Sequence, residues 1–319
     1  MKLSIIIPQY KESEKMLRDL LNTIENQKGI NFDDLEVLIV NDCSDNPPPK
    51  NIVKGYSFKI ELMRTPVNGG AGIARQYGTE RATGEYIMYL DADDCLMSCV
   101  ALKRIMEYKG NADVIRGKFY VENTNSISNG WTWVHGKFYR AEYLKEKELK
   151  FPKELRVNED AYFNMLAGAY TDKIEEMDEI ITFWAKNPNS TTRKNNSEFV
   201  VSNLEDFLKG KLMGFRELKK HGCNKALMGN LIDLFVYLYY MFQEIEFYNG
   251  DEKVRLKQVE YEKKLAEIIK EFWAEFSQFS ERDFDACLSD VYKTFSNYVD
   301  YRLHETFDNF RERIYSYEI

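Results

Sequence analysis

Prolines, glycines and cysteines are all scarce in this chain of 319 residues. The 7 prolines and 17 glycines exclude a fibrous repeat and long disordered segments. The five cysteines are scattered, and no second close pair accompanies Cys95 and Cys99 to complete a zinc site. We therefore expect free thiols and a reducing, cytoplasmic compartment.

Long hydrophobic runs and an excess of basic residues are also absent. The apolar run Leu3–Pro8 is too short for a signal peptide, and no run reaches the roughly 20 apolar residues of a membrane span. The 44 basic and 52 acidic residues give a net charge of −8, which disfavours general nucleic-acid binding because phosphate neutralisation needs a basic face. The sequence thus predicts a soluble protein without a transmembrane segment, and leaves peripheral contact with the inner membrane face open.

Apolar periodicity divides the chain into two parts. In the first part, short apolar runs alternate with helical patterns, which implies βαβ units and a mostly parallel sheet. The predicted strands are 3–8, 35–40, 58–63, 86–90 and 113–121, and the predicted helices are 13–27, 71–82, 98–108 and 160–169. After about residue 187 only helical spacing remains, at 200–221, 225–248, 252–279 and 281–316. We therefore predict an α/β domain over residues 1–195 and an all-helical domain over 196–319.

Polar segments follow three of the predicted strands, at Pro8–Glu12, Asn41–Ser44 and Asp91–Asp94. Ligands bind at the carboxyl edge of open α/β sheets. An Asp after a strand is also a common turn or cap residue, but three such segments on one edge favour a binding site. The two carboxylates of Asp91-Ala92-Asp93 suit a hard divalent cation, which would neutralise a diphosphate leaving group.

Five segments together resemble the family-2 glycosyltransferases, which are inverting enzymes of the GT-A fold. In the order and spacing of that family, they are Ser4–Tyr10, Val40–Ser44, Asn68–Arg75, Gly84–Asp94 and Asn158–Asp160. One departure is Lys11, which stands where the family usually has Asn. The resemblance covers residues 3 to about 195. It implies a Rossmann-like α/β sheet flanked by helices, and a UDP-sugar as the donor.

The resemblance assigns the uracil pocket to the ends of the first two strands. Asp42 would accept a hydrogen bond from the uracil N3–H, since an ionised carboxylate only accepts. Pro8 and Tyr10 would shape the pocket, with the Tyr10 ring against the base, although a strand-end anchor is an equally good reading of Tyr10. Glu12 would line the same pocket.

Further donor contacts would come from a glycine-containing turn, an arginine and the acidic segment. They are Asn68, Gly69, Gly70, Arg75, Asp91, Ala92 and Asp93. The turn would let backbone approach the nucleotide, and Arg75 would lie near uracil or phosphate. Asp91 would face the ribose and Asp93 would be the principal ligand of Mn²⁺ or Mg²⁺, with Asp91 as the second metal ligand.

The resemblance makes Asp160 the general base and places Glu159 beside it. Asp160 would remove the proton of an acceptor hydroxyl as that oxygen attacks the anomeric carbon, so the configuration inverts. Acidic residues at a helix N-terminus are also stabilised by the helix dipole, which is the structural alternative.

Four more polar residues are candidates for donor contact. His135 would touch the donor sugar or the diphosphate, although a structural hydrogen-bond donor is the more common role of a single histidine. Lys137 and Arg140 are candidates for phosphate contact, and Arg193 would close over the diphosphate. The neighbouring tryptophans of Trp131-Thr-Trp133 fit either sugar stacking or core packing.

Two other functions remain as alternatives. A sugar nucleotidyltransferase places a glycine-rich, arginine-containing loop after its first strand, where this chain has Pro8-Gln9-Tyr10. An inactive sugar-nucleotide or carbohydrate-binding module predicts the loss of Asp93 or Asp160, and both are present. The sequence names neither the donor sugar nor the acceptor, which is a glycan, a lipid-linked intermediate or a polymer. Glycosylation of cell-surface polysaccharide or wall polymer is the family-level expectation.

The C-terminal helices carry no motif that identifies their role. Residues 231–242 are apolar nearly all round, which predicts a buried helix. A packed helical domain, an acceptor-holding lid and a surface for homo-oligomerisation are the three interpretations.

Overall fold

The computed structural model describes residues 2–187, 197–243, 252–296 and 305–317. The chain forms two compact units, residues 1–190 and 191–319. The first unit is built around one sheet, and the second is helical in its described residues.

The first four strands form the parallel half of the sheet. They are β1 (Leu3–Gln9), β2 (Leu35–Asn41), β3 (Lys59–Arg64) and β4 (Tyr86–Tyr89), in the spatial order β3-β2-β1-β4. Every residue of β1, β2 and β4 is buried, which explains why these strands read as continuous apolar runs. All four strands were predicted from the sequence.

Helices α1 (Glu14–Glu25) and α2 (Ala71–Thr79) provide the crossovers between these strands. The Ser13 hydroxyl caps α1 by accepting a hydrogen bond from the Met16 N–H at 3.2 Å. The apolar face of α1 is buried, as its helical spacing predicted.

The rest of the sheet introduces antiparallel pairs, so the complete sheet is mixed. It contains β5 (Cys95–Leu96), β6 (Val114–Val121), β7 (Ser126–Ser128), β8 (Lys137–Arg140) and β9 (Ile174–Trp184). Strand β8 runs antiparallel between β4 and β6, whereas β9 pairs in parallel with β6. The predicted 113–121 strand is confirmed as β6, while β5, β7, β8 and β9 were not predicted.

Three short helices complete the first unit: α3 (Lys103–Glu107), α4 (Ala141–Glu146) and α5 (Glu159–Ala169). The predicted helix over 98–108 is shorter than expected, because residues 98–102 form turns. Helix α5 begins one residue earlier than predicted, after Asn158 in the left-handed region with φ of 61°.

The second unit contains α6 (Ser197–Lys220), α7 (Asn224–Gln243), α8 (Glu252–Glu271), α9 (Trp273–Phe276), α10 (Glu281–Ser296) and α11 (Phe307–Tyr315). The predicted buried helix is α7, and its Phe235 side chain contacts the rings of Phe276, Phe284 and Phe310. Beside this aromatic core, the buried Glu262 pairs with Arg313 at 3.1 Å. Among the described helices, none is both long and apolar enough to cross a membrane.

Candidate active site at the carboxyl edge of the sheet

The polar segments after β1, β2 and β4 lie together at one edge, as the topology predicted. The Asp42 N–H donates to the Gln9 carbonyl at 2.7 Å, and the Asn41 amide donates to the Gln9 side chain at 2.5 Å. Asp91 and Asp93 are close enough to act electrostatically on Glu12, and together with its burial they raise the pKa of that carboxyl above its ordinary value.

Asp42 is buried and accepts four hydrogen bonds from the protein itself. Its Oδ1 accepts from the Gly69 N–H at 2.9 Å and from the Thr65 hydroxyl at 3.1 Å. Its Oδ2 accepts from the Gly70 N–H at 2.7 Å and from the Asn68 amide at 2.9 Å. Gly70 has φ of +90°, a conformation that favours glycine. Asp42 therefore anchors the turn at residues 68–70, and its predicted bond to uracil stays a prediction.

The first-strand residues differ in exposure. Pro8 is buried within β1, whereas Tyr10 is 37% exposed and has the Lys11 ammonium 4.9 Å from its ring centre. The Tyr10 N–H donates to Glu12 at 2.8 Å. This leaves the Tyr10 ring accessible to a planar base, while Pro8 contributes to the sheet beneath it.

Arg75 is buried between two carboxylates. Its Nη2 donates to Asp91 at 2.6 Å, and its Nη1 donates to Glu159 at 2.7 Å. Burial alone would lower the pKa of Arg75, but Asp91, Glu159 and Asp160 outweigh burial and raise it. Its guanidinium links α2 to the end of β4 and to the first turn of α5, and its contact with uracil or phosphate stays a prediction.

Three potential metal ligands meet at the end of β4. One ligand atom from each of Asp91, Asp94 and His135 lies within 4.8 Å of the others. Burial would raise the pKa of Asp91, but Arg75 and His135 outweigh it and hold the pKa below its ordinary value. Two carboxylates and one imidazole fit Mn²⁺, which accepts both oxygen and nitrogen ligands.

This group differs from the predicted ligand pair of Asp93 and Asp91, which stays a prediction. The Asp94 N–H donates to the Asp91 carbonyl at 3.0 Å, and this turn brings the side chains of Asp91 and Asp94 to the same group. Asp93, the predicted principal ligand, lies outside this group and accepts a hydrogen bond from the Asn187 amide at 2.7 Å. Ala92 is buried between them.

Asp160 lies in the first turn of α5, next to the ion-paired Glu159. Burial, then the charges of Glu159 and Asp91, raise the pKa of Asp160 to about 7, against the opposing effect of Arg75. A carboxylate with this pKa is a stronger base than an ordinary Asp, and about half of it is ionised at a pH equal to that pKa. Burial also raises the pKa of Glu159, although its bond to Arg75 works against this.

His135 lies near the end of the 129–136 loop, and Lys137 follows that loop directly. Both side chains are buried, and they have different partners. The His135 Nδ1 lies 3.5 Å from Asp94, and its ring packs 4.7 Å from that of Trp184. The Lys137 ammonium donates to the Gly130 carbonyl at 2.7 Å and to the Trp133 carbonyl. Burial, with the nearby Arg116, lowers the pKa of Lys137 to about 7. In this structure the Lys137 ammonium is thus held by the loop backbone, and its contact with phosphate stays a prediction.

Arg140 lies away from the predicted phosphate site. Because β8 runs antiparallel to β4, Arg140 is opposite Tyr86 at the beginning of β4. There it pairs with Asp113 at 2.5 Å and with Glu142 at 2.7 Å. Arg193 lies outside the described residues.

Sequence reasoning missed four residues that contribute to the site. They are Thr65, Asp94, Arg156 and Asn187. Arg156 donates to the Asn68 side chain and so links the turn before α2 to the loop before α5. Asp94 could have been included because it adjoins the Asp91 motif, but no sequence signal marks the other three.

Comparison with known proteins places this chain in a family. The family model for glycosyl transferase family 2 matches residues 4–167. Over 207 residues the chain is 28% identical to the Staphylococcus aureus poly(ribitol-phosphate) beta-N-acetylglucosaminyltransferase TarS, covering 58% of this chain and 35% of TarS. It is 30% identical over 196 residues to the poly(ribitol-phosphate) beta-glucosyltransferase of Bacillus spizizenii, covering 54% of this chain and 30% of that protein. The chain thus spans about a third of the length of these curated relatives.

The fold agrees with this comparison. The crystal structure of S. aureus TarS 1–349 in complex with UDP superposes with a TM-score of 0.67 at 20% sequence identity, covering 96% of this chain and 97% of that chain. The similarity confirms the predicted GT-A fold. Since the family model matches more than half of the residues, this chain belongs to glycosyl transferase family 2.

Proposed function

We propose that this protein transfers a sugar from a UDP-sugar to a hydroxyl group of a polyol-phosphate wall polymer, with inversion at the anomeric carbon. The observation that carries the proposal is the position of Asp160, whose pKa is raised to about 7, beside the Arg75 bridge to Asp91 and Glu159. The names of the relatives support the acceptor, since both act on poly(ribitol-phosphate). A similar structure of TarS in complex with UDP-GlcNAc supports the donor class.

Donor binding would use the turn that Asp42 anchors. We propose that the uracil imide replaces the Asn68 amide on Asp42, because a side-chain donor, unlike the N–H groups of Gly69 and Gly70, can turn away without moving the backbone, and Asn68 belongs to the turn itself. Tyr10 would then cover one face of the base. The N–H groups of Gly69 and Gly70 remain on Asp42 and keep the turn in place.

A divalent cation would be held by Asp91, Asp94 and His135, and would supply charge neutralisation for the diphosphate. The structure of a Pyrobaculum calidifontis mannosyltransferase in complex with GDP-Man and Mn²⁺ supports such an ion, with a TM-score of 0.52 and 13% identity. Arg75 keeps Asp91 ionised, and thereby keeps it available as a ligand.

Transfer itself would need one proton acceptor from the protein. Asp160 removes the proton from the acceptor hydroxyl while that oxygen forms the new bond to the anomeric carbon. The bond from that carbon to the UDP oxygen breaks, and its electron pair leaves with UDP. Attack from the side opposite the leaving group inverts the configuration.

The test measures UDP release with Mn²⁺ from UDP-GlcNAc, UDP-glucose and UDP-galactose, with and without poly(ribitol phosphate). We expect polymer-dependent release with one donor, and a product of inverted anomeric configuration by NMR. Asp160→Asn should retain UDP binding by calorimetry but lose about 10²–10⁴-fold in kcat. The matched control is Asp172→Asn, an exposed carboxylate beyond the end of α5. UDP binding without turnover by the unmodified protein would instead favour a binding module.

A further inference from the structure

The loop over residues 129–136, between β7 and β8, carries two large aromatic side chains and packs on α5, the helix that carries the proposed base. Trp131 and Trp133 are each partly exposed, and Thr132 between them is exposed. The Trp133 ring packs against those of Phe119 and Trp184, whereas Trp131 lies against the Arg116 guanidinium. Core packing thus accounts for Trp133, and the role of Trp131 needs a separate explanation.

Buried polar groups hold this loop from beneath. The fully buried Lys137 donates to the carbonyls of Gly130 and Trp133. The Asn164 amide donates to the Thr132 carbonyl at 3.2 Å, and Asn164 in turn accepts from the Tyr139 hydroxyl at 2.5 Å. Burying an ammonium group is costly, so a lysine that serves only as a loop anchor indicates that the loop conformation matters.

One face of α5 connects the loop to the proposed base. Asp160, Asn164 and Gly168 follow each other at intervals of four residues, so they lie along one face of the helix. Asn164 binds the loop backbone, and a Cβ added at Gly168 would lie 3.2 Å from the Trp131 ring. The loop thus packs on the same face of the helix whose first turn carries Asp160.

A cation fixes the orientation of the Trp131 ring. The Arg116 guanidinium lies 4.8 Å from the ring centre and forms an ion pair with Glu176 at 2.8 Å. With Gly168 on the ring edge and Arg116 over the ring, Trp131 has little rotational freedom. A rigid, amphipathic ring is suited to the C–H groups of a polyol or a sugar, while adjacent hydroxyl groups stay hydrated.

We infer that the 129–136 loop forms the acceptor subsite, in which Trp131 contacts the carbon skeleton of a polyol or sugar and Lys137 is the positioning residue that holds the loop. This inference rests on the proposed function, since it assigns the acceptor side of the same reaction. The subsite would deliver an acceptor hydroxyl to Asp160 along the shared face of α5.

The experiment determines KM separately for poly(ribitol phosphate) and for the donor in Trp131→Ala, Trp131→Phe and Lys137→Met. We expect Trp131→Ala to raise the acceptor KM about tenfold or more, with donor KM and UDP affinity changed less than about twofold. Trp131→Phe should recover most of the acceptor affinity, because it restores an aromatic ring. Lys137→Met should raise the acceptor KM in the same direction.

The control is Ile127→Ala, which removes an exposed apolar side chain from the neighbouring strand β7. An unchanged acceptor KM in Trp131→Ala overturns the inference, as does an equal rise in donor and acceptor KM. If Trp131→Ala does not fold, as judged by its melting temperature, Trp131→Phe and Trp131→Leu give the same comparison, and equal acceptor KM in these two also overturns it. Absence of transfer to the polymer by the unmodified protein overturns the proposed function itself, and the inference falls with it.

Discussion

Charge compensation around Arg75 organises the site at the scale of single residues. The guanidinium is 4% exposed and binds two carboxylates, so it balances charges that burial would otherwise make costly. A lysine cannot make both bonds from one planar group, which explains why an arginine is suited to this position. Burial, then the charges of Glu159 and Asp91, raise the pKa of the neighbouring Asp160, although Arg75 opposes this.

The raised pKa of Asp160 predicts the pH dependence of kcat. A general base must be deprotonated, so kcat should fall about tenfold for each pH unit below the pKa of about 7 and level off above it. A pH–rate profile with saturating donor and acceptor checks this. A value of kcat that stays constant between about pH 5 and about pH 8 would contradict the role of Asp160 as the base.

The raised pKa of Asp160 also predicts how the stability of the fold depends on pH. Whereas kcat should rise with pH, the contribution of Asp160 to stability should fall. Because the pKa of Asp160 rises from its ordinary 3.8 to about 7 on folding, the folded protein binds the extra proton within that window. The contribution of Asp160 to stability is therefore complete below its unfolded pKa and is lost as the pH rises through the folded pKa. Asp160→Asn should raise the melting temperature at pH 8 relative to the unmodified protein, and the gain should shrink towards pH 4.

The metal-ligand assignment predicts different effects for two adjacent aspartates. Asp94→Asn and His135→Ala should each weaken Mn²⁺-dependent UDP binding about 10- to 100-fold, because Asp94 and His135 belong to the ligand group. Asp93→Asn is the matched variant and should have a smaller effect, since Asp93 pairs with Asn187. Calorimetric titration with UDP, with and without Mn²⁺, measures this. A larger effect of Asp93→Asn would restore it as the principal ligand.

At the scale of secondary-structure elements, the close packing of α2 against α5 sets the position of the Arg75 bridge. A Cβ added at Gly72 in α2 would lie 2.6 Å from the Glu159 Cγ in α5, which is too close for either side chain to stay in place. The predicted helices carried no sign of this contact, because the glycine and the glutamate are far apart in sequence.

Gly72→Ala should therefore reduce the rate of transfer, although Gly to Ala usually stabilises a helix. In an exposed helix, Gly to Ala is stabilising by about 1 kcal/mol, whereas here the added methyl group pushes Glu159 away from Arg75. We expect lower kcat and a lower melting temperature, measured by UDP release and thermal unfolding. Gly229→Ala in α7 is the control, because a Cβ there meets nothing within 4 Å. Equal effects of both variants would contradict this account.

At the scale of the whole molecule, the chain divides into residues 1–190 and 191–319, and each unit has its own apolar core. The donor-site residues described all belong to the first unit. We propose that the helical unit serves acceptor binding or homo-oligomerisation, in line with the functions considered for residues 196–319.

A truncated protein of residues 1–195 should accordingly retain the donor site. We expect Mn²⁺-dependent UDP affinity within about threefold of that of the full chain, because the sheet core lies within the first unit. Calorimetry on the truncated protein measures this, and sedimentation of the full chain and the truncated protein reports any oligomer formed by the helical unit. Failure of the truncated protein to fold would show that the two units depend on each other.

The sequence by itself determined the family, the parallel strands β1 to β4, the edge at which the site lies and the neighbourhood of Asp160. These depend on local patterns: buried strands read as apolar runs, and short motifs keep their order along the chain. Strands β8 and β9 in the mixed part of the sheet were not predicted from the sequence. The reason is that β8 has only four residues and that acidic residues interrupt the apolar residues of β9.

Only the tertiary structure decided which side chains meet. Arg75 and Glu159 are 84 positions apart, and Asp94 joins His135 only because β8 inserts antiparallel beside β4. That insertion also brought Lys137 inside, where it binds the Gly130 carbonyl, and carried Arg140 to the opposite edge, where it pairs with Asp113. Residue type specifies what a side chain can bind, whereas strand direction and burial decide what it reaches.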